Sequence, residues 1–232
     1  MRYISFLLVF VALIFNISKL NAQNSILQYD FKKGQVFDII FLTTKPDTKE
    51  KLQSYFKNVF PVAEANGYHN LKGFGLGETM QGNYQPGSMI FGYWNGHKDR
   101  SEFLKIIEEK MPDFHIERRA IWSTFDLTYY VLKEDLSFEI DTEKYNVLTT
   151  YWANDIKDFK SFEKLLRQKT KAKGGNIKLS LKEGNSPFGY YHNPDLLLVT
   201  EWESEADFRK FYDENVQMDH SSVKHVNQIK FK

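Results

Sequence analysis

The chain carries one stretch twice, and this duplication constrains its fold more than any other feature of the sequence. Residues 86–94 read PGSMIFGYW and residues 194–202 read PDLLLVTEW, so a proline and a tryptophan recur at matching ends, 108 positions apart. The same spacing carries Gly67 onto Gly175. Because three infrequent residues recur at one fixed separation, we interpret the sequence as a tandem duplication of one structural unit.

The pattern of apolar residues predicts the same order of elements in both copies. In the first copy, strands are predicted at residues 36–43, 68–76, 88–94 and 121–131. Asp38 is the one charged residue in the first of these strands, which is otherwise almost continuously apolar. Apolar residues three and four positions apart predict a helix after the first strand and another after the third. The second copy repeats this β-α-β-β-α-β order, with strands predicted at residues 147–152, 176–182, 196–202 and 223–231.

Two kinds of local signal refine this prediction. Asp99 with Glu102, and Ser204 with Asp207, have the three-residue spacing that typically starts a helix. Three alternating glycines, Gly73, Gly75 and Gly77, lie in and directly after the predicted second strand. They predict a twist, a bulge or a close approach of another backbone, and their spacing does not match a dinucleotide-binding motif.

The predicted elements divide the chain into segments. Residues 35–132 and 144–231 are predicted to be the two repeats, and the acidic residues 133–143 a linker that holds a short extended piece at residues 138–140. Residues 23–34 are polar and mixed, which indicates a loose leader.

Residues 1–22 are typical of a signal peptide. Arg2 supplies a positive charge, residues 3–15 are apolar, and Ala22 offers a small residue at a cleavage point. The apolar run is shorter than the roughly 20 residues that a membrane span requires, although an uncleaved anchor is the alternative. The sequence therefore predicts an exported protein, periplasmic or secreted, with no stable membrane anchor after cleavage.

The composition excludes several classes of function. The chain has no cysteine, so disulfides, thiol catalysis and cysteine-ligated metals are excluded. Its 31 basic and 30 acidic residues nearly balance, which argues against a nucleic-acid partner because such a partner requires a concentrated basic face. With 20 Phe, 13 Tyr and 4 Trp, aromatic residues are abundant enough to supply a core and to leave some Tyr and Trp for a pocket.

One passage carries a resemblance to a known superfamily. The strand PDLLLVTEW runs into the aromatic helix SEADFRKFY at residues 204–212, and residues 96–103 are its looser counterpart in the first copy. Here the chain resembles the dimeric α/β-barrel superfamily, which includes antibiotic-biosynthesis monooxygenases, muconolactone isomerases, YciI-like proteins and NIPSNAP proteins. The resemblance covers both repeats and is specific for fold, because these families use the scaffold for unrelated chemistries.

The resemblance implies an α+β fold in which two ferredoxin-like β-α-β-β-α-β repeats pack sheet to sheet as one intramolecular α/β barrel. It implies a monomer whose two repeats mimic a dimer, with a homodimer as the alternative. A pocket is expected between the sheet and its two helices, reached past the loops between the middle strands, residues 80–87 and 183–193.

The second of these loops holds several candidate ligand-binding residues. It supplies Tyr190, Tyr191 and His192, and His192 corresponds to Tyr84 in the first copy. Aromatic rings with one imidazole suit a planar organic ligand, so a small molecule is the predicted partner. The alternative is a surface hairpin whose rings only cover the end of the barrel.

Three further aromatic residues are candidates. Trp94 and Trp202 end equivalent strands and form either a stacking wall for a ligand or part of the core. His69 follows the first helix and is either a general base, a haem ligand or a structural residue.

No metal site, cofactor or catalytic residue is assigned from the sequence. His220 and His225 are five residues apart, which places them on different helical faces, and His115 lacks further ligands at a known spacing. The haem-degrading members of the superfamily use an Asn, an aromatic residue and a His that cannot be matched here.

Three classes of function follow. The first is a small-molecule binding protein with an aromatic pocket, and the second is a cofactor-independent monooxygenase or isomerase, suggested by the resemblance. The third is a structural or assembly protein that associates through unpaired sheet edges.

Overall fold

The computed structural model describes residues 25–186 and 192–232, so the predicted signal peptide lies outside the described residues. The described strands are β1 (Ile26–Phe31), β2 (Val36–Thr44), β3 (Tyr68–Gln81), β4 (Ser88–Trp94), β5 (Trp122–Val131), β6 (Leu136–Asp141), β7 (Tyr145–Ala153), β8 (Asn176–Leu181), β9 (Leu196–Trp202) and β10 (Val223–Phe231). The described helices are α1 (Lys49–Ala65), α2 (His97–Lys110), α3 (Phe114–Ile121), α4 (Ile156–Ala172) and α5 (Glu205–Asn215).

The strands form one large antiparallel sheet and one small ribbon. The large sheet has the strand order β5-β2-β4-β3-β10-β7-β9-β8, and the ribbon pairs β1 with β6. In each copy the first and third strands lie in the middle and the fourth and second flank them, which is the ferredoxin-like arrangement. The predicted α+β fold with two ferredoxin-like repeats is therefore confirmed.

The two half-sheets join within one chain at both of their edges. Strand β3 pairs with β10, with Leu76 opposite Phe231. At the other edge, Tyr129 in β5 and Asn185 after β8 exchange two backbone hydrogen bonds, each with an N···O distance of 2.8 Å. The eight strands consequently close into a barrel without a second subunit, as predicted.

The alternation of side chains along each strand separates the barrel core from the helix-facing cores. In β2, Phe37, Ile39 and Phe41 point into the barrel and are fully buried. Residues between them point the other way, toward the helices that cover the outside of the sheet. The helices of the two repeats cover separate apolar clusters on the outer face of their own half-sheets.

The residues before the first repeat belong to the fold, so the predicted loose leader is wrong. Strand β1 pairs with β6 along its whole length. Tyr29 stacks on Phe138 with ring centroids 4.8 Å apart, and the ring of Phe31 lies 4.5 Å from that of Phe37. These rings are part of the barrel core, so the ribbon is held by apolar burial. The extended piece predicted at residues 138–140 is confirmed within β6.

The predicted helix starts have different outcomes. The Ser204 hydroxyl accepts a hydrogen bond from the Asp207 N–H at 3.2 Å and caps α5, as predicted. The prediction at Asp99 is wrong, because α2 begins two residues earlier after Gly96, without a side-chain cap. Helix α3 was not predicted at all, since its eight residues are too few for a clear apolar period.

Glycines explain two local features of the repeats. A Cβ atom at Gly73 would lie 2.2 Å from the Met89 carbonyl oxygen, at an irregularity in the β3–β4 register, which confirms the predicted close approach. Gly67 and Gly174 both end a helix with positive φ angles of 81° and 86°. Gly67 thus corresponds in structure to Gly174, whereas Gly175 leaves space for the ring of Trp202.

Within residues 25–186 and 192–232, no helix has both the length and the apolar character that crossing a bilayer requires.

Candidate functional site

A cavity of about 460 Å³ lies between the half-sheet of the first repeat and helices α1, α2 and α3. Strands β2, β3, β4 and β5 form its floor, and its lining is mainly apolar. The volume is within the range of small-molecule sites. The cavity lies where the resemblance implied a pocket, between a sheet and its helices, but residues 80–87 of the expected entrance do not line it.

Asp38 is the buried carboxylate of this cavity. It is one of the outward-facing residues of β2, and only 2% of its surface is exposed. One carboxylate oxygen accepts a hydrogen bond from the indole N–H of Trp94 at 2.9 Å, and the other accepts one from Nε of Arg100 at 2.9 Å. Burial raises the pKa of the Asp38 carboxyl, and the Arg100 charge and the Trp94 hydrogen bond oppose that rise.

Arg100 is buried with Asp38 and is fixed by a second contact. Its guanidinium carbon lies 4.1 Å from the ring centroid of Tyr129 on β5, the strand next to β2. This cation–π contact and the hydrogen bond to Asp38 hold the guanidinium against the sheet. The charge of Arg100 is thereby neutralised inside the protein.

Arg118 on α3 is a further cation of the cavity, which Lys72 of β3 also lines. Its Nε donates to the hydroxyl of Tyr55 at 2.8 Å. Its guanidinium carbon lies 4.1 Å from the ring centroid of Phe114 and 4.2 Å from that of Phe125. Within the described part of the chain, Arg118 forms no direct ion pair, but its charge acts on the Asp38 carboxyl and opposes the rise in the pKa of that group.

The second repeat does not preserve this polar arrangement. Val36 lies opposite Trp94 in the first repeat and Tyr145 lies opposite Trp202 in the second, so the counterpart of Asp38 is Val147. The counterpart of Arg100, at the repeat spacing, is Phe208.

Apolar burial takes the place of the ion pair in the second repeat. Val147 and Phe208 are both completely buried there. The indole N–H of Trp202 donates to the Thr200 hydroxyl at 3.1 Å instead of to a carboxylate. The two charges are therefore specific to the first repeat.

The structure separates the site residues that the sequence predicted. Trp94 lines the cavity, whereas Trp202 is packed in the core of the second repeat. His69 is exposed and lies outside the cavity, with its ring stacked on Tyr93 at 4.4 Å and its Nε2 3.1 Å from Asn95 Oδ1.

The remaining predicted site residues are not part of this cavity either. Tyr84 and His192 are brought together, with ring centroids 4.7 Å apart, on the barrel side of the sheet. Tyr190 and Tyr191 lie outside the described residues.

Seven polar residues of the cavity were missing from the predicted site: Asp38, Tyr55, Tyr68, Asn70, Lys72, Arg100 and Arg118. Asp38 carried a usable signal, since it was the one charge in an otherwise apolar strand. Arg118 carried none, because it belongs to the unpredicted helix α3.

The donor atoms of the site do not fit a haem or a metal ion. Among the described residues that line the cavity there is no His, Cys or Met, the side chains that most often ligate haem iron. Residues 25–186 and 192–232 contain no group of three or more His, Cys, Asp or Glu side chains that could hold a metal ion. We therefore derive no chemical step through either group.

The fold and the cavity together define a ferredoxin-like α/β-barrel protein with a ligand-sized cavity in its first repeat. The sequence matches no protein-family model and no curated protein.

Solved structures give a likeness in fold. The chain is similar to an anthrone oxidase-like protein at a TM-score of 0.50 and 14% identity, covering 88% of this chain and 94% of that one. It is also similar to chlorite dismutase from Candidatus Nitrospira defluvii in complex with imidazole, at a TM-score of 0.51 and 12% identity, covering 87% and 92%. At such identities the likeness establishes the barrel fold and no activity.

Proposed function

We propose that this protein binds a small planar organic acid in the cavity of the first repeat. The observation that carries the proposal is Arg118, a cation that borders a mainly apolar cavity and forms no direct ion pair among the described residues. Such cavities bind small organic molecules mainly through apolar surface, with a few polar groups that fix orientation.

The charges of the cavity select an acidic ligand. Arg100 is neutralised by Asp38 at 2.9 Å, whereas Arg118 hydrogen-bonds the uncharged hydroxyl of Tyr55. A carboxylate or phenolate placed beside Arg118 forms a charge-assisted hydrogen bond, which is stronger than a bond between neutral groups. The Phe125 ring lines the cavity, and its centroid lies 4.2 Å from the guanidinium carbon, which favours a flat molecule that packs against this ring.

The family and the location belong to the same proposal. Membership of the dimeric α/β-barrel superfamily is supported by the strand order of both half-sheets and by the resemblance of residues 194–212. Export is supported by the sequence of residues 1–22, and N-terminal sequencing of the protein from its host tests it. An N-terminus at Gln23 is the expected result.

A cofactor-independent monooxygenase or isomerase is the second candidate function. The buried Asp38 carboxyl favours it, because burial raises its pKa and a buried carboxyl with a perturbed pKa in a cavity is typical of a proton-transferring group. Oxygen consumption, and hydrogen–deuterium exchange at carbon in a bound acid, test this candidate. Exchange that is abolished in Asp38→Asn supports it, and a wild-type protein that shows neither reaction contradicts it.

The structure does not support the unpaired sheet edges that suggested an assembly role. The outer strands β5 and β8 approach each other at the Tyr129–Asn185 bridge, so these edges are at least partly occupied within the chain. We therefore do not pursue that role.

A panel of aromatic acids and their matched amides tests the proposal, with salicylate and salicylamide as the first pair. Calorimetric titration of the wild-type protein is expected to give tighter binding of the acids, because only they carry the negative charge. Arg118→Gln should weaken salicylate binding at least tenfold, which corresponds to about 1.4 kcal/mol.

Arg119→Gln is the matched control, since Arg119 is the next residue of α3 and is exposed. It should bind salicylate as the wild type does. Equal binding of acids and amides, equal effects of the two substitutions, or no binding of any acid would each contradict the proposal.

A further inference from the structure

A second pocket, of about 300 Å³, lies on the barrel side of the sheet. Its lining includes Tyr84, Asp126, Trp152, His192, His225 and Asn227. It is distinct from the cavity of the first repeat, because Phe41 of β2 faces the barrel whereas Asp38 faces the helices. The sheet itself therefore separates the two.

The pocket contains buried polar atoms without partners. His192 is 5% exposed, and neither of its ring nitrogens hydrogen-bonds another residue. Asn227 is 2% exposed, and its side-chain oxygen is also unpaired. Thr150, which does not line the pocket, lies opposite Asn227 in the β7–β10 pairing and also has an unpaired hydroxyl. Buried polar atoms in folded proteins are nearly always hydrogen-bonded, so this group points to a bound molecule.

The imidazole of His192 is held in place by its surroundings. Its ring centroid lies 4.5 Å from Phe41 and 4.7 Å from Tyr84, and Trp152 approaches edge-on at 5.2 Å. The Thr128 hydroxyl donates to the backbone carbonyl of His192 and fixes the main chain. A ring fixed in this way presents its nitrogens without further loss of side-chain freedom, which favours binding.

The charged groups around the pocket favour an uncharged ligand. Burial lowers the pKa of His192 to about 3, and the neighbouring His225 contributes to the lowering. The neutral imidazole offers one donor nitrogen and one acceptor nitrogen. Asp126 accepts a hydrogen bond from Tyr84 at 2.7 Å, while Lys224 and His225 border the pocket on β10. Acidic and basic groups are therefore both present, and neither sign of ligand charge is selected.

The pocket is built by both repeats. Tyr84 and His192 are equivalent residues of the two copies, 108 positions apart, and their rings stack on each other. Two equivalent residues that touch must lie at the axis that relates the repeats. The site therefore requires the complete barrel and has no counterpart within a single repeat.

We propose that this pocket is a second binding site, for a small neutral planar molecule that carries a hydrogen-bond donor next to an acceptor. The donor pairs with the Asn227 oxygen, and the acceptor pairs with the His192 N–H. The flat face of the molecule packs on Trp152. This site does not depend on the proposed function of the first-repeat cavity.

The test uses 2-pyridone, a neutral ring with adjacent N–H and C=O groups, as the probe. Nitrogen-15 NMR of the full-length mature protein is expected to show saturable shifts of the His192 ring nitrogens and the Trp152 indole at millimolar probe. N-methyl-2-pyridone lacks the donor and should bind at least tenfold more weakly. Shifts of the Trp94 indole, which faces the other cavity, report separately on that site.

Two histidine variants complete the experiment. His192→Phe keeps the ring shape, removes the unpaired nitrogens, and should weaken 2-pyridone binding at least tenfold when followed at Trp152. His69→Phe is the matched control, because His69 is exposed and lies in neither pocket, and it should bind the probe like the wild type. The proposal would be overturned if the His192 signals did not shift, if N-methyl-2-pyridone bound as tightly as 2-pyridone, or if His192→Phe bound the probe fully. Any of these results would indicate a pocket that holds only water.

Discussion

Arg100 donates a 2.9 Å hydrogen bond to Asp38, and this buried ion pair replaces the Phe–Val pair of the second repeat. The duplicated unit can therefore hold either a charged pair or an apolar pair of residues at the same two positions. The charged pair lies in the first repeat, whose cavity also contains Arg118. Because the second repeat has Val147 and Phe208 at these positions, the repeat architecture itself does not require the two charges.

Removing one member of the ion pair should destabilise the protein strongly. Asp38→Val leaves the Arg100 charge buried without a partner, which is expected to lower the free energy of unfolding by about 3–5 kcal/mol. The double variant Asp38→Val/Arg100→Phe installs the residues of the second repeat and should recover most of that loss. Urea denaturation of the four proteins of this cycle provides the measurement, and a double variant as unstable as the single one would refute the equivalence of the two positions.

The stability of the protein should fall in acid because of His192. Its pKa is lowered from 6.5 to about 3 in the folded state, so between these values the unfolded chain binds more protons at this residue. His192 contributes no penalty above pH 6.5, and its destabilising effect grows as the pH falls from 6.5 to 3, by at most about 1.4 kcal/mol per pH unit.

His192→Phe should remove this contribution, because the variant has no group to protonate. Urea denaturation at pH 7, 6 and 5 is expected to show a shallower loss of stability for His192→Phe than for the wild type. His69→Phe serves as the control and should retain the wild-type slope, since His69 is exposed. Parallel curves for wild type and His192→Phe would show that His192 is not buried in its neutral form.

The close approach at Gly73 should make this position intolerant of a side chain. A Cβ atom there would lie 2.2 Å from a backbone oxygen, which cannot move without shifting β4. Gly73→Ala is expected to lower the free energy of unfolding by about 2 kcal/mol or more. At Gly87, in the loop before β4, the nearest atom to an added Cβ would be 3.5 Å away, so Gly87→Ala should change stability little. Equal thermal unfolding midpoints for the two variants would contradict the register irregularity of β3.

The isolated second repeat should associate with itself. In the complete chain its inner face, including Leu148, Leu197 and Ile229, is covered by the first repeat. Residues 144–231 alone would expose this apolar face and the edge of β10, so a dimer is expected. Sedimentation equilibrium checks this expectation. A second repeat that is folded and monomeric would contradict the conclusion that packing between the two sheets stabilises the barrel.

The sequence predicted the barrel well because its signals are periodic and occur twice. Strands β4, β9 and β10 have the predicted bounds, since proline, tryptophan and alternating apolar residues mark them. The leader was mispredicted because β1 is stabilised by pairing with the distant β6, and sequence periodicity cannot show a partner 109 residues away.

The candidate sites were harder to predict than the fold. The correspondence of Tyr84 with His192 was visible as a repeat spacing, and the structure brings the two rings together. The ion pair of Asp38 with Arg100 joins a strand to a helix 62 residues later, and only the folded chain shows that contact. Charged residues that meet through tertiary packing leave no local pattern in the sequence.

The most direct test of an acid-binding cavity in the first repeat is a salicylate titration followed by proton–nitrogen NMR. The indole N–H of Trp94 and the Nε–H of Arg118 are expected to shift saturably, because both residues line the cavity. The indole N–H of Trp202, buried in the core of the second repeat, should stay unchanged. Equal shifts of Trp94 and Trp202, or no shift of Arg118 at saturating salicylate, would contradict the proposed site.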